Sequence, residues 1–313
     1  MIKISLTVVI AGLGEMGSIH YKNLGKLKKK YNIRILTTRS INNLKSIVSN
    51  KKVDACIFAL PYHLHYRCVL TALENGVHVF VEKPISTTYE KAKELVTLAE
   101  KKKLILMVGH ILRFSQTFNI VKKLVSGNKI GRLTMINCRR LSQKIVKNWW
   151  KNQNRFLLLY EGIHTIDIII YLLQKLPQYI VCHMNYLHPS IKGESEFMVT
   201  MGFDSEIVAT LHHNMRSSYS VNDIYISGTR GEILVEDFSK VYLNGNLLYK
   251  STFNEMMKDS SFKEMNTFID AVLHDGSVKS SGKDVLPSMK VVDMCYFSAQ
   301  KKRILYWRGF ENG

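Results

Sequence analysis

The hydrophobic positions change rhythm once along this chain. Over roughly the first third, short apolar runs at 4–11, 33–37, 53–60, 77–81 and 104–108 are rich in Val, Ile and Leu with few polar breaks, the pattern of strands buried on both faces. Stretches of helical spacing lie between them. The one over 64–75 stops at Gly76, which takes a left-handed backbone without penalty and so ends helices. The one over 88–103 opens on a capping box of Thr87 and Glu90 and closes on lysines 101–103, which suit the negative end of a helix dipole. From about residue 125 strand-like runs follow one another instead, at 132–140, 178–186, 195–203, 206–213, 221–227 and 231–235, with an Asn-Gly-Asn turn at 244–246. Helical patterns remain at 163–174, 260–274 and 286–303.

Alternating β and α predicts a parallel, doubly wound sheet, and successive strands without helices predict a mainly antiparallel one. Where the first strand ends, Gly12, Gly14 and Gly17 form G-x-G-x-x-G between a strand and a helix. Gly12 permits the tight turn, Gly14 lets a pyrophosphate approach the backbone, and Gly17 lets helix pack on sheet, with the helix N-terminus facing the phosphates. The pattern predicts an α/β fold class: an N-terminal Rossmann doubly wound domain over 1–122, then an α+β domain with a mainly antiparallel sheet over 123–313, its C-terminal helix packing back on the first domain. The turn calls for a nicotinamide dinucleotide. After the second strand, the place of an NAD-binding acid holds Thr38, Arg39 and Ser40. Arg39 can pair with a 2′-phosphate and the hydroxyls can donate to it, so NADP(H) is favoured over NAD(H). The alternative is that Arg39 stacks on adenine in a protein accepting both cofactors.

Charge and cysteine content add little to this. The net charge is +19, from lysines spread over the whole chain rather than gathered in a tail. With no DNA-binding module, a nucleic-acid partner is not expected; the even spread reads as a generally lysine-rich composition, with an anionic small substrate as the alternative. Basic residues do gather at 139–155, namely Arg139, Arg140, Lys144, Lys147, Lys151 and Arg155, either as a solvated face or as a grip on substrate phosphates. No apolar run reaches the roughly 18 residues of a membrane span. The five cysteines are scattered without C-x-x-C spacing, which points to reduced thiols in the cytoplasm and away from structural zinc.

Further motifs carry a resemblance. Pro61 and His65 in "ALPYHLH", Glu82-Lys83-Pro84, Arg113 in "GHILRF", and His164 with Asp167 in "EGIHTID" follow the glycine turn in an order and spacing that resemble the glucose–fructose oxidoreductase, inositol dehydrogenase and rhizopine-catabolism (Gfo/Idh/MocA) family over nearly the whole chain. The resemblance implies hydride transfer at a hydroxyl or ketone of a sugar, nucleotide sugar or inositol-like compound, or, in regulatory members, cofactor binding without turnover. It implies a homodimer or homotetramer formed through the open sheet. It implies cofactor contacts from Gly12, Leu13, Gly14, Glu15, Met16 and Gly17, from Ala59, Leu60, Pro61 and His65, and from Glu82, Lys83 and Arg113.

Hydride transfer at a carbinol needs a proton acceptor and a charge to steady the alkoxide. By resemblance Lys83 is the catalytic lysine, Pro84 is a candidate for a cis bond, and His164 is the acid/base, with Asp167 orienting it or capping backbone. The family's usual Asp, four residues before this histidine, is replaced by Tyr160, with Glu161 next to it. Either can take its place, so Tyr160 joins the candidate catalytic set. His63 and His65 form H-x-H without a third ligand nearby, so no metal is expected. His212 and His213 are adjacent on a strand and face opposite ways.

Overall fold

A computed structural model describes residues 6–39, 44–50, 52–204 and 206–310. The chain forms two compact units, one comprising residues up to 114 with 258–286, the other comprising 115–257 with 287 onward.

The first unit alternates β1 (Leu6–Ala11), α1 (Glu15–Leu27), β2 (Ile33–Thr38), α2 (Leu44–Asn50), β3 (Ala55–Phe58), α3 (His65–Glu74), β4 (His78–Glu82), α4 (Tyr89–Lys102) and β5 (Leu106–Gly109). Every pairing among these strands is parallel, in the order β2-β1-β3-β4-β5. Chain order therefore reverses direction at β1 and β3, the switch point where ligands of such sheets bind. The strands are apolar throughout because both faces are covered. Val8, Ile10, Ile57, Phe80 and Met107 share one core with Met265, Phe268 and Ile269 from the returning segment 258–286. Phe80 and Phe268 meet at 5.7 Å between ring centroids. The capping of α4 is shifted by one residue from expectation. Thr88 is the cap, extended at φ −142°, and its hydroxyl accepts from Lys91 N–H at 3.4 Å, whereas Thr87 lies one position too early to do so.

The second unit opens with α5 (Gln116–Ser126), a helix absent from the sequence pattern; its cap, Ser115, accepts from Phe118 N–H at 3.2 Å. The expected boundary at 122 falls inside this helix, which belongs whole to the second unit. Then come β6 (Leu133–Gln143), α6 (Ile163–Leu173), β7 (Tyr179–Asn185), β8 (Glu196–Phe203), β9 (Ile207–Asn214), β10 (Arg216–Gly228), β11 (Gly231–Glu236), β12 (Lys240–Leu243), β13 (Asn246–Lys250) and β14 (Leu305–Tyr306), while α7 (Phe253–His274) and α8 (Gly282–Lys301) each contribute residues to both units. Among the described residues nine strands form one sheet, ordered β13-β12-β11-β10-β6-β9-β8-β7-β14. Only β6 and β9 pair in parallel; the other pairings are antiparallel.

α7 and α8 both start earlier than the apolar pattern suggests, because capping boxes precede the amphipathic stretch. Thr252 N–H donates to Glu255 at 2.8 Å while Glu255 N–H returns to the Thr252 hydroxyl at 3.2 Å. Ser281 and Asp284 do the same at 3.0 and 3.2 Å. All five cysteines are buried free thiols. Among the described residues no helix is long and apolar enough to cross a membrane.

Candidate functional site

The glycine turn leaves β1 at the switch point. Gly12 has φ +92°, and a Cβ there would stand 2.3 Å from the Ala59 carbonyl oxygen. A Cβ on Gly17 would stand 1.9 Å from the carbonyl oxygen of Gly12, so the first turn of α1 closes on the loop only without a side chain. At Gly14 the same test meets nothing within 4 Å. Gly14 is the cap residue of α1, and having no side chain it makes no side-chain capping bond of its own. Open space beside a helix N-terminus that begins on glycine fits a pyrophosphate. Glu15 is exposed on the first turn, Met16 is half-buried beside it, and Leu13 packs against the core. Thr38 ends β2 half-buried and Arg39 follows it exposed, both at the carboxyl edge of the same sheet; Ser40 lies outside the described residues.

At the neighbouring strand ends, His65 ties two loops together. Its Nδ1 is 2.7 Å from the Pro84 carbonyl oxygen and its Nε2 2.8 Å from that of Leu60. Burial pushes this imidazole down, against the pull of the two carbonyls and of Glu82. Ala59, Leu60 and Pro61 are thereby fixed against the segment that follows β4, where the Lys83–Pro84 peptide is cis. Glu82 is buried at the end of β4, its carboxylate packed on Gly109. Burial raises its affinity for a proton, but the hydrogen bond and charge of His20 and the charges of Lys83 and His65 outweigh that and hold the carboxyl below its ordinary value. Lys83 is half-buried. Arg113, expected at the cofactor, is buried instead. Its guanidinium donates to the carbonyls of Lys279 at 2.9 Å and Asp284 at 3.1 Å, joining the returning segment to the end of β5.

In the second unit, Tyr160, Glu161 and His164 sit on one feature. Residues Leu158–Gly162 form a π-helical turn that runs directly into α6, a local widening found often at functional sites. The turn packs tightly at Gly162, where a Cβ would stand 2.7 Å from the Phe197 ring. It is anchored by Glu194, fully buried, which accepts from Leu158 N–H at 2.8 Å, from Phe156 N–H at 3.1 Å and from the Tyr296 hydroxyl at 2.6 Å. Tyr160 packs its ring among Trp149, Trp150 and Phe156. Glu161 turns to the basic cluster, 3.1 Å from Lys144 and 3.6 Å from Arg140. His164 is half-buried in the first turn of α6. Asp167, one turn on, accepts from the Ser288 hydroxyl at 3.0 Å. His213 is buried near Thr165, and His212 on the opposite face meets Glu196 at 2.9 Å. Among the described residues no three His, Cys, Asp or Glu side chains gather as a metal site.

Three groups here escape the sequence reading: His20, Glu194 and Glu264. His20 was legible as a polar residue one turn after Gly17 on the face that packs on the sheet, and Glu264 as a charge inside the apolar stripe of Met265 and Phe268. Glu194 lies in a loop without periodicity, and no local pattern marks it.

Comparison with known proteins adds to this geometry. The oxidoreductase-family model with an NAD-binding Rossmann fold matches residues 6–110, and the GFO/IDH/MocA C-terminal domain model matches 118–234. The 2,7-anhydro-N-acetylneuraminate hydratase of Escherichia coli (strain K12) is 28% identical over 218 residues, covering 65% of this chain and 57% of the relative. The scyllo-inositol 2-dehydrogenase (NADP(+)) IolW of Bacillus subtilis (strain 168) is 26% identical over 185 residues, 54% of this chain and 52% of the relative. The matched part thus spans a little over half the length of these relatives. Among solved structures, an oxidoreductase from Agrobacterium radiobacter in complex with NAD+, L-tartaric acid and magnesium superposes with a TM-score of 0.82 at 18% identity, over 97% of this chain and 98% of that one. The WlbA dehydrogenase from Bordetella pertussis in complex with NADH and UDP-GlcNAcA superposes with a TM-score of 0.80 at 16% identity, over 97% and 99%.

Proposed function

The chain belongs to the GFO/IDH/MocA oxidoreductase family, and on that premise we propose that it moves hydride between NADP(H), favoured over NAD(H), and a hydroxyl- or carbonyl-bearing carbon of a sugar, nucleotide sugar or inositol-like substrate. The observation that carries this reading is the joint placement, at the carboxyl edge of one parallel sheet, of the glycine turn after β1 and of Glu82, Lys83 and Pro84 where β4 ends.

The glycine turn and the N-terminus of α1 hold the dinucleotide phosphates, and Arg39 with Thr38 takes the adenosine end. The bound nicotinamide supplies or accepts the hydride. Lys83 donates to the substrate oxygen and favours its alkoxide character. His164 exchanges the hydroxyl proton, a task suited to an imidazole near neutral pH. Tyr160, rather than Glu161, stands for the family's usual Asp. The carboxylate of Glu161 is already committed to Lys144 and Arg140. A homodimer or homotetramer, housed in the cytoplasm, completes the reading.

The test is turnover by the purified protein on a panel of inositols, sugars, sugar acids and nucleotide sugars, with each nicotinamide cofactor. Because a relative is named as a hydratase, substrate loss is followed by mass spectrometry beside nicotinamide absorbance. Conversion of a panel member that requires cofactor is expected. Cofactor binding with no substrate converted would replace this reading with that of a cofactor-binding regulator.

A further inference from the structure

The second unit holds a cavity of about 450 Å³ that the mechanism above does not use. Its volume is within the range of small-molecule sites, roughly 300–1,000 Å³, and well above what a single ion needs. The walls come from β6, β10, the segments flanking β12 and β13, and the π-helical turn. Arg140, Lys144, Lys240 and Lys250 line it, against two carboxylates, Glu161 and Asp237. The remaining lining is largely hydroxyl-bearing, with Ser142 and Ser220 among it.

The charge does not cancel within the cavity. Glu161 is shared between Lys144 and Arg140, and Lys240 is partly neutralised from outside the lining by Glu236 at 3.3 Å. Four cations facing two carboxylates, with that partial compensation, leave between one and two positive charges for a ligand. His213, buried nearby, feels the same field: burial first, then Arg140, His212 and Lys144, hold its imidazole well below the ordinary value. One carboxylate would leave part of this charge uncovered, whereas a phosphate monoester carries about −1.5 to −2 at pH 7, as the diphosphate of a nucleotide sugar does in total, and accepts from several donors at once.

We propose that this cavity is a subsite for the phosphoryl group of a phosphorylated sugar or nucleotide sugar, held by Arg140, Lys144 and Lys250 with neighbouring hydroxyls. The inference deepens the function proposed above and rests on it for the role of the ligand as substrate. Glu161, in the cavity wall, directly follows Tyr160 and precedes His164 by three residues. A phosphoryl group there competes with Glu161 for Lys144 and Arg140, so its arrival is reported to the turn that carries the candidate catalytic groups.

The test is binding, which needs no turnover. Isothermal titration of the cofactor-loaded protein is run with inorganic phosphate, glucose 6-phosphate, glucuronate and glucose, on wild type, on Lys144→Met/Lys250→Met and on the control Lys101→Met. Saturable binding of inorganic phosphate and glucose 6-phosphate is expected, weakened at least tenfold in the double variant and by added salt, and unchanged in the control. No phosphate binding, or binding that the double variant leaves intact, overturns the proposal. Glucuronate binding tighter than glucose 6-phosphate overturns the phosphoryl assignment. Lys250→Met alone, which breaks no ion pair described here, gives the same reading if the double variant does not fold. Hydride transfer is scored separately by nicotinamide absorbance, so failure of phosphate binding leaves the oxidoreductase reading to its own test.

Discussion

His20 Nε2 and Glu82 Oε1 are 2.7 Å apart, the imidazole on α1 and the carboxylate at the end of β4, both buried. With Glu82 held ionised, the imidazole donates to it. The bond links the helix that follows the glycine turn to the residue before Lys83, and so fixes two parts of the cofactor edge relative to each other. Removing the donor leaves a buried carboxylate with one partner fewer. His20→Ala is expected to lower stability by about 1.5–3 kcal/mol, the range for a hydrogen bond to a charged group, and to weaken cofactor binding. The pH dependence has a definite sign. Because the folded value of Glu82 lies below the unfolded one, its contribution is present above about pH 4.3 and is lost as pH falls through the folded value. Urea denaturation of wild type and variant across acid pH checks both statements; equal stability throughout would refute them.

Glu264 supplies the opposite slope. It is fully buried, and neither carboxyl oxygen has a hydrogen-bond partner among the described residues. Burial and then the charge of Glu82 raise its value well above the ordinary one. A raised carboxyl favours the folded state below its unfolded value, and that contribution is lost as pH rises toward the folded value. Glu264→Leu is therefore expected to stabilise the protein near neutral pH by about 1–3 kcal/mol, the cost of an unsatisfied buried polar group. The gain should shrink as pH falls toward about 4.3. Thermal unfolding of both proteins over that span measures it, and a gain independent of pH would count against the titration of Glu264.

These two carboxyls also show where sequence reading stops. The Rossmann unit was legible because each of its strands is a continuous apolar run and its glycines have steric reasons that need no tertiary knowledge. The antiparallel unit was legible from strand succession. α5 was not, since its short amphipathic stretch carries no signal beyond Ser115. The early starts of α7 and α8 lie in capping boxes preceding the apolar stripe. Arg113 was read from its motif, yet its partners, the carbonyls of Lys279 and Asp284, are more than 160 residues away in sequence. Lys83, Tyr160 and His164 were legible as motif positions; that Glu161 would be engaged by Lys144 and Arg140 required the register of β6.

The proposed preference for NADP(H) turns on Arg39, exposed at the carboxyl edge of β2 beside Thr38. NADPH is expected to bind more tightly than NADH, as titrated by protein fluorescence. Arg39→Ala should weaken NADPH by about 1.5–3 kcal/mol, a charge-assisted contact, and leave NADH nearly unchanged. Equal affinities in the wild type would instead favour Arg39 as an adenine-stacking residue.

Assembly is a further expectation. Met135 and Met198 are each about half exposed, at 48% and 51%. Ladder partners put them on one face. Met135 shares its side of β6 with Asn137 and Arg139, and Arg139 lies opposite His212, which lies opposite Met198. Tyr225, opposite Asn137, joins them. Half-exposed Met135, Met198 and Tyr225 on one sheet face, among polar neighbours, favour cover, so sedimentation is expected to show a dimer or tetramer at micromolar concentration. Met135→Lys/Met198→Lys should shift it to monomer, and a wild-type monomer would rule this surface out.

The catalytic set gives the most direct test of the functional reading. Lys83 and His164 are each expected to act on the substrate oxygen, one as a cation steadying the alkoxide and the other as proton exchanger. Lys83→Ala and His164→Ala should each lower kcat by a factor on the order of 10²–10⁴, while cofactor binding, expected to rest mainly on the glycine turn, remains measurable. Tyr160 differs in kind. Its ring is packed among Trp149, Trp150 and Phe156, so Tyr160→Phe keeps the packing and removes only the hydroxyl. The phenol hydroxyl offers the substrate a hydrogen bond without the charge of an Asp. The expected loss is accordingly smaller, on the order of tenfold in kcat, a single neutral hydrogen bond. Tyr160→Asp restores the family's usual charge and should move the pH profile of kcat, which Tyr160→Phe should leave in place. Glu161→Gln, by contrast, should act on substrate affinity through Lys144 and Arg140 more than on kcat. Near-wild-type turnover by Lys83→Ala on the true substrate would overturn the assignment of the whole site, because no other group in this set replaces the charge that the alkoxide needs.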